Sequence, residues 1–220
     1  MTVRLAIFDC DGTLVDSQAN ICMAMEHAFE EAGLTPPMRH ETRRVVGLSL
    51  VESMRMLLPE AADDLHHDLA DKYRSAFWTL RSNGLVDEPL YDGMAALLSS
   101  LDESGWMLGV ATGKSDRGLT RCLDHHALRP LFVTLQTADR HPSKPHPSMV
   151  YQALAEAGAD AANAVVIGDT VYDIHMGRAA GTRTVGVNWG YHSVDDLREA
   201  GADYIAESMD DLKVYLENFA

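Results

Sequence analysis

Cysteine is scarce in this sequence, and so are long apolar runs. The three cysteines among 220 residues are an odd number and form no CxxC pair, which argues against a disulfide framework and favours a reducing compartment. No run approaches the ~20 apolar residues that span a bilayer, and no basic, apolar leader precedes the first predicted strand. We therefore expect a cytoplasmic protein with neither a membrane anchor nor a signal peptide.

Basic residues are also few, since 18 lysines and arginines face 33 aspartates and glutamates, for a formal net charge of −15. Such a chain would repel a nucleic-acid backbone, so we expect no nucleic-acid partner. A small phosphorylated ligand stays compatible with this charge because it needs only a local positive site. The 220 residues, 46% of them hydrophobic, are enough for a substantial core in one large domain or two modest ones.

The most informative stretch is residues 3–17, which read VRLAIFDCDGTLVDS. Its apolar, β-branched start predicts a buried strand of a parallel sheet. Asp9 and Asp11 follow at once on a tight turn, where two carboxylates repel each other unless a positive charge lies between them. Cys10 is predicted to be a small buried hydrophobic residue rather than a nucleophile. A merely solvated turn is the alternative, and matching residues elsewhere in the chain count against it.

The remaining chain divides into two patterns. Residues 17–86 carry four helical periodicities without a strand, with Ser17 as the predicted N-cap of the first helix. After them, strand and helix patterns alternate, which predicts right-handed crossovers and a parallel sheet. We therefore predict an α/β fold, a doubly wound, Rossmann-like parallel-sheet core of residues 1–16 and 87–220. A four-helix cap, residues 17–86, would be inserted after the first strand and cover one edge of the sheet.

Polar residues follow four of the predicted strands. They are Asp9 and Asp11 after the first, Thr112, Gly113 and Lys114 after the second, Lys144 in the loop after the third, and Asp169 and Asp173 after the fourth. In an open α/β sheet, ligands bind beyond the carboxyl ends of the strands. The sequence thus predicts that acids, a hydroxyl and a lysine converge there, a set suited to a phosphate handled through a metal ion.

The acids receive distinct predicted roles. Asp9 is placed as the nucleophile that forms an acyl phosphate, and Asp11 as the acid that protonates the leaving group and then activates water. Mg²⁺ would be held by Asp9, the backbone carbonyl of Asp11, and Asp169. Asp173 would orient Asp169 or a metal-bound water. The alternative for Asp169 and Asp173 is that they are ordinary acids at a helix N-terminus.

The phosphate is predicted to be bound by Lys144, the Thr112 hydroxyl and the Gly113 amide. Taken alone, Thr112 and Gly113 could be only a turn, and Lys144 could be a surface lysine. Residues 47–49, between two short helices, are the predicted loop that meets the substrate. Arg43 and Arg44, just before this loop, are candidates for binding a second anionic group, or simply outward-facing arginines.

Four stretches together resemble the motifs of the haloacid-dehalogenase (HAD) superfamily, and the resemblance spans nearly the whole chain. They are residues 9–17 (DCDGTLVDS), 111–114 (ATGK), 143–147 (SKPHP) and 168–173 (GDTVYD). The similarity is greatest to the phosphoglycolate-phosphatase-like branch with a helical cap. It implies a Mg²⁺-dependent phosphatase with an aspartyl-phosphate intermediate. Haloacid dehalogenases resemble the first motif too, but they lack an acid at the position of Asp11.

The predicted function is hydrolysis of a small phosphate ester, by a monomer or a homodimer. A sugar phosphomutase is an alternative, although mutases similar to β-phosphoglucomutase carry a hinge histidine where this chain has Ile21. A receiver-type phospho-accepting switch is an alternative of another class, and Asp11 and the helical insertion argue against it. Phosphoglycolate, a sugar phosphate, a nucleoside monophosphate and pyrophosphate all remain possible substrates.

Overall fold

The computed structural model describes residues 3–219, whose centre is an all-parallel six-stranded sheet. The strands are β1 (Arg4–Phe8), β2 (Trp106–Thr112), β3 (Phe132–Thr137), β4 (Ala164–Gly168), β5 (Arg183–Val187) and β6 (Tyr204–Ala206). They lie in the order β3-β2-β1-β4-β5-β6, every neighbouring pair being parallel. The order reverses between β1 and β4, which is where such sheets bind their ligands. The predicted α/β fold with a doubly wound parallel sheet is confirmed.

The helices follow the predicted alternation. They are α1 (Gln18–Glu31), α2 (Arg39–Arg44), α3 (Leu50–Leu57), α4 (Asp63–Ser82), α5 (Met94–Glu103), α6 (Asp116–His125), α7 (Ser148–Ala157), α8 (Val171–Ala180), α9 (Val194–Glu199) and α10 (Met209–Glu217). Helices α1–α4 lie between β1 and β2 in the chain, and we call them the helical insertion. Within residues 3–219, no helix has both the length and the apolar character needed to cross a membrane.

The sheet is buried on both faces because successive side chains of each strand point to opposite sides. Ala6 and Phe8 of β1 belong to one apolar cluster, which includes residues of α5, α6 and α10. Leu5 and Ile7 belong to a second cluster with residues of α7 and α8. A third cluster is formed mainly within the helical insertion. The exact division of the chain at residues 17–86 stays a prediction.

The helical insertion lies against the loops at the carboxyl ends of the strands. Gly113 follows β2, and a Cβ atom there would lie only 2.5 Å from the backbone oxygen of Leu48. The backbone N–H of Ser49 donates a hydrogen bond of 2.8 Å to the hydroxyl of Ser143, in the loop after β3. The edge that the insertion covers is therefore the one where the predicted site residues emerge.

Ser17 is the N-cap residue of α1, as predicted, but its side chain accepts no hydrogen bond from the helix. Its hydroxyl instead donates to the carboxylate of Asp11 and lies 3.2 Å from the hydroxyl of Tyr191. A buried serine beside a carboxylate gains a charge-assisted hydrogen bond there, which is stronger than a neutral cap.

Burial should determine how much individual side chains of β2 contribute to stability. We expect Leu108→Ala, at a fully buried position, to lower the free energy of unfolding by about 2–5 kcal/mol. Met107→Ala, at the neighbouring position that is 38% exposed, should change it by less than about 1 kcal/mol. Urea unfolding followed by circular dichroism measures both values, and equal losses would contradict the difference in burial between the two side chains.

Candidate active site

Lys144 is the buried positive charge at the carboxyl edge of the sheet. Its ammonium lies 2.9 Å from the Asp9 carboxylate, directly after β1, and 2.6 Å from the Asp173 carboxylate, in the first turn of α8. All three residues are at most 2% exposed. Lys144 is therefore no surface lysine, and the structure brings it together with the predicted nucleophile.

Negative charge exceeds positive charge in this cluster. Carboxylate oxygens of Asp9, Asp169 and Asp173 lie within 4.8 Å of one another, while the only ammonium beside them is that of Lys144, as far as the described residues go. Burial raises the pKa of Asp9 to about 7, because the charge of Lys144 only partly offsets it and Asp173 adds repulsion. Burial, reinforced by Asp9 and Asp173, also raises the pKa of Asp169 well above its usual value.

This cluster fits a hard divalent cation. Neither carboxylate oxygen of buried Asp9 accepts a hydrogen bond from any residue in 3–219, so its contact with Lys144 is an ion pair without hydrogen-bond geometry. Buried carboxylates without donors are costly unless a cation compensates them. Several oxygen donors with no nitrogen or sulfur among them are the ligands that Mg²⁺ and Ca²⁺ take in proteins.

Asp169 is held in place by two donors and two glycines. The Thr13 hydroxyl donates to one carboxylate oxygen at 2.8 Å, and the Tyr191 backbone N–H donates to the other at 2.9 Å. A Cβ atom at Gly12 or Gly190 would lie 2.2 Å or 2.1 Å from Asp169 atoms. The chain therefore needs glycine at both positions to approach this carboxylate so closely.

Asp173 has two functions in the structure. One carboxylate oxygen accepts hydrogen bonds from the N–H and hydroxyl of Thr170, at 3.1 Å and 2.6 Å, and so caps α8. The other oxygen accepts from Lys144. The helix-terminus alternative is thus correct in part, since Asp173 both caps the helix and fixes the lysine. Its direct partners are Lys144 and Thr170, and its predicted role of orienting Asp169 or a metal-bound water stays a prediction.

Asp11 lies in a second charged network beside the first. It accepts a hydrogen bond from Ser17, and the Lys114 ammonium lies 2.8 Å from it and 2.7 Å from Glu88. Burial would lower the pKa of Lys114, but the carboxylates of Asp11 and Glu88 outweigh it and raise that pKa well above its usual value. The sequence alone assigned no role in the site to Lys114 or Glu88, and it gave Ser17 only the role of a helix N-cap, although Ser17 and Lys114 lie within the recognised motifs.

Thr112 and Gly113 line a pocket of about 280 Å³ together with Asp9 and Asp11. Thr112 is buried, and its hydroxyl accepts a hydrogen bond of 3.2 Å from the backbone N–H of Lys114. Residues 47 and 48 of the predicted substrate loop also line this pocket, but Arg43 and Arg44 are not among its lining residues. The pocket therefore connects the acids to the helical insertion.

Comparison with known proteins gives consistent matches. Residues 6–187 match the family model described as haloacid dehalogenase-like hydrolase. The chain is 32% identical over 213 residues to the probable phosphatase IndB of Dickeya dadantii, covering 94% of this chain and 91% of that protein. It is 31% identical over 212 residues to the pyrophosphatase PpaX of Bacillus pumilus, covering 96% and 95%. A crystal structure of a predicted phosphatase from Clostridium acetobutylicum superposes with a TM-score of 0.87 at 27% identity, covering 99% of both chains.

The close approach of Gly12 to Asp169 can be tested with a matched pair of variants. Gly12 and Gly33 both have positive φ, +84° and +72°, but a Cβ at Gly33 would meet nothing within 4 Å. We expect Gly33→Ala to cost about 1–2 kcal/mol of unfolding free energy from backbone strain alone. Gly12→Ala should cost clearly more, since Asp169 must also move. A smaller loss at Gly12 than at Gly33, measured by urea unfolding, would contradict the packing described.

Proposed function

Because the chain belongs to the haloacid dehalogenase-like hydrolase family, we propose that it is a Mg²⁺-dependent phosphatase acting on a small phosphorylated metabolite through an aspartyl-phosphate intermediate. The family and the phosphatase-type hydrolase class predicted from the four motifs are confirmed. The observation that carries the proposal is the Asp9 carboxylate, which is buried, lacks hydrogen-bond donors and borders the pocket next to Lys144.

In the first step, a carboxylate oxygen of Asp9 attacks phosphorus, and the bond between phosphorus and the ester oxygen breaks. An anionic nucleophile is repelled by an anionic phosphate, so positive charge at the phosphoryl oxygens lowers the barrier. Lys144 supplies one such charge, while Asp173 fixes its position. Asp9, Asp169 and the backbone carbonyl of Asp11 would hold Mg²⁺, which neutralises charge on both reactants when it is bound.

Asp11 transfers the protons in both steps. It protonates the departing ester oxygen and then removes a proton from the water that cleaves the acyl phosphate. Acid and base catalysis of this type contributes ~10²–10⁴-fold in rate. The hydrogen bond from Ser17 and the ion pair with Lys114 hold its carboxylate at the wall of the pocket. Thr112 and Gly113, at the end of β2, would donate hydrogen bonds to the phosphoryl oxygens.

The rival functions are less well supported. Ile21, an apolar residue that lines the pocket, occupies the position where similar phosphomutases have a histidine. A phospho-accepting switch would gain nothing from Asp11, since an acid that activates water shortens the life of an acyl phosphate. A cytoplasmic location fits the three free cysteines, all of which are buried thiols.

We expect Asp9→Asn to abolish Mg²⁺-dependent hydrolysis of p-nitrophenyl phosphate, because an amide does not attack phosphorus as a carboxylate does. The loss should be on the order of 10⁶-fold in kcat, the scale seen when a covalent nucleophile is removed. Asp16→Asn, at an exposed position of the same loop, is the matched control and should keep wild-type activity. Both variants should give wild-type circular dichroism spectra. Retained turnover in folded Asp9→Asn would exclude Asp9 as the nucleophile.

Asp11→Asn should trap the intermediate. With p-nitrophenyl phosphate the leaving group needs little protonation, so Asp9 still becomes phosphorylated while hydrolysis of the acyl phosphate is slowed. Intact-protein mass spectrometry after acid quenching should then show one added phosphoryl group. The double variant Asp9→Asn/Asp11→Asn should remain unmodified. A phosphoryl group on the double variant, or none on Asp11→Asn together with normal turnover, would contradict these roles.

A further inference from the structure

The mouth of the active-site pocket is lined by arginines from two helices that face each other. On α4 of the helical insertion, Arg74, Phe77, Trp78 and Arg81 recur at the spacing that places residues on one helix face, and all four line the pocket. On α6, Arg117 and Arg121 lie one turn apart and line it from the other side. A chain with a net charge of −15 thus has positive charge at the entrance of its pocket.

Arg117 and Arg121 differ from the other two arginines in having no acidic partner. Arg74 pairs with Asp71 and Arg81 with Glu88. By contrast, the guanidinium groups of Arg117 and Arg121 make no ion pair or hydrogen bond with any residue that the structure describes. They lie instead over the Trp78 ring, with their central carbons 4.0 Å and 4.5 Å from its centroid. Their N–H donors are therefore available to a ligand.

Arg117 and Arg121 also repel each other, because no acidic residue that the structure describes offsets their charges. Burial, together with the charges of Arg117 and Arg81, lowers the pKa of Arg121. Guanidinium groups bind carboxylates and phosphates through paired hydrogen bonds, and stacking on an aromatic ring reduces the entropy lost when they do so. An anion at this position would relieve the repulsion among the three arginines.

A path of side chains connects this mouth to the acids. Lys114 lies 2.8 Å from Asp11, and its ammonium is 5.8 Å from the centroid of the Phe77 ring. The Arg81 guanidinium lies 5.5 Å from that same centroid. Between the two ends the wall is largely apolar, with Ile21 and Tyr73 among its residues. The pocket therefore has a phosphate-handling end, an apolar middle and a cationic mouth.

We propose that Arg117 and Arg121, stacked on Trp78, form a subsite for a second anionic group on the leaving group of the substrate. The substrate class is a phosphomonoester with a carboxylate or a further phosphate at the end remote from the scissile bond. This inference rests on the proposed phosphatase function and specifies what it acts on. Esters without a second anion would leave the subsite empty.

The test compares substrates that differ only in charge. A homologous series of ω-carboxyalkyl phosphates is assayed with Mg²⁺, each ester paired with its uncharged primary amide. The ratio of kcat/KM for acid over amide isolates the contribution of the second anion and cancels differences in the chemical step. Wild-type protein should prefer the acid at one chain length at least. Arg121→Gln and Arg117→Gln should each lower that ratio about tenfold, as expected for the loss of a hydrogen bond between charged groups.

Arg198→Gln is the matched control, since Arg198 is an exposed arginine that does not line the pocket, and its ratio should equal that of wild type. If both arginine variants lose activity equally on acids and amides, the stack only joins α4 to α6, and the subsite is refuted. A wild-type ratio near one at every chain length would refute it as well. Absence of turnover with all esters would instead overturn the proposed function, and the subsite with it.

Discussion

The site depends on the ion pairs that buried Lys144 makes with Asp9 and Asp173, at 2.9 Å and 2.6 Å. These residues come from the end of β1, the loop after β3 and the start of α8, so the ion pairs form only when the sheet has assembled in its observed order. Losing one partner of such a buried pair typically costs about 3–5 kcal/mol, because the other charge is left uncompensated. Even intact, the cluster holds more carboxylates than ammonium groups. The fold thus buries negative charge where the proposed cation and phosphate would bind. This excess of buried charge lowers the stability of the protein.

The helical insertion lines the pocket beside this charge cluster, and under the proposed function it would determine selectivity. Residues 47 and 48 close against Gly113, where even one added methyl group would collide with the backbone. The same insertion contributes α4, whose Trp78 meets Arg117 and Arg121 of α6. With a cation bound beside Lys144 at one end of the pocket and arginines at the other, the pocket would favour a ligand that is anionic at both ends. The insertion that covers the acids would then also recognise the leaving group.

Much of this architecture could be predicted from residue patterns. The sequence pattern predicts strands at residues 106–112 and 164–168, and β2 and β4 have these bounds, because buried parallel strands are short apolar runs that stop at polar residues. The convergence of Asp9, Lys144 and Asp169 followed from the common direction of the strands. What could not be predicted were pairings between distant residues with no periodic relation, such as Lys114 with Glu88. The hydrogen bond of Ser17 could not be predicted from the sequence either. Its local pattern indicates a helix cap, but its hydroxyl donates to the carboxylate of Asp11.

The central claim is that the buried acids at the carboxyl edge of the sheet form one cation and phosphate site. A crystal structure grown with Mg²⁺ and tetrafluoroaluminate, a mimic of the phosphoryl group in transfer, tests it most directly. We expect the cation to be bound to the carboxylates of Asp9 and Asp169, with the mimic against one Asp9 oxygen and within hydrogen-bond distance of the Lys144 ammonium. A cation bound elsewhere, or an Asp9 carboxylate turned away from the mimic, would contradict it.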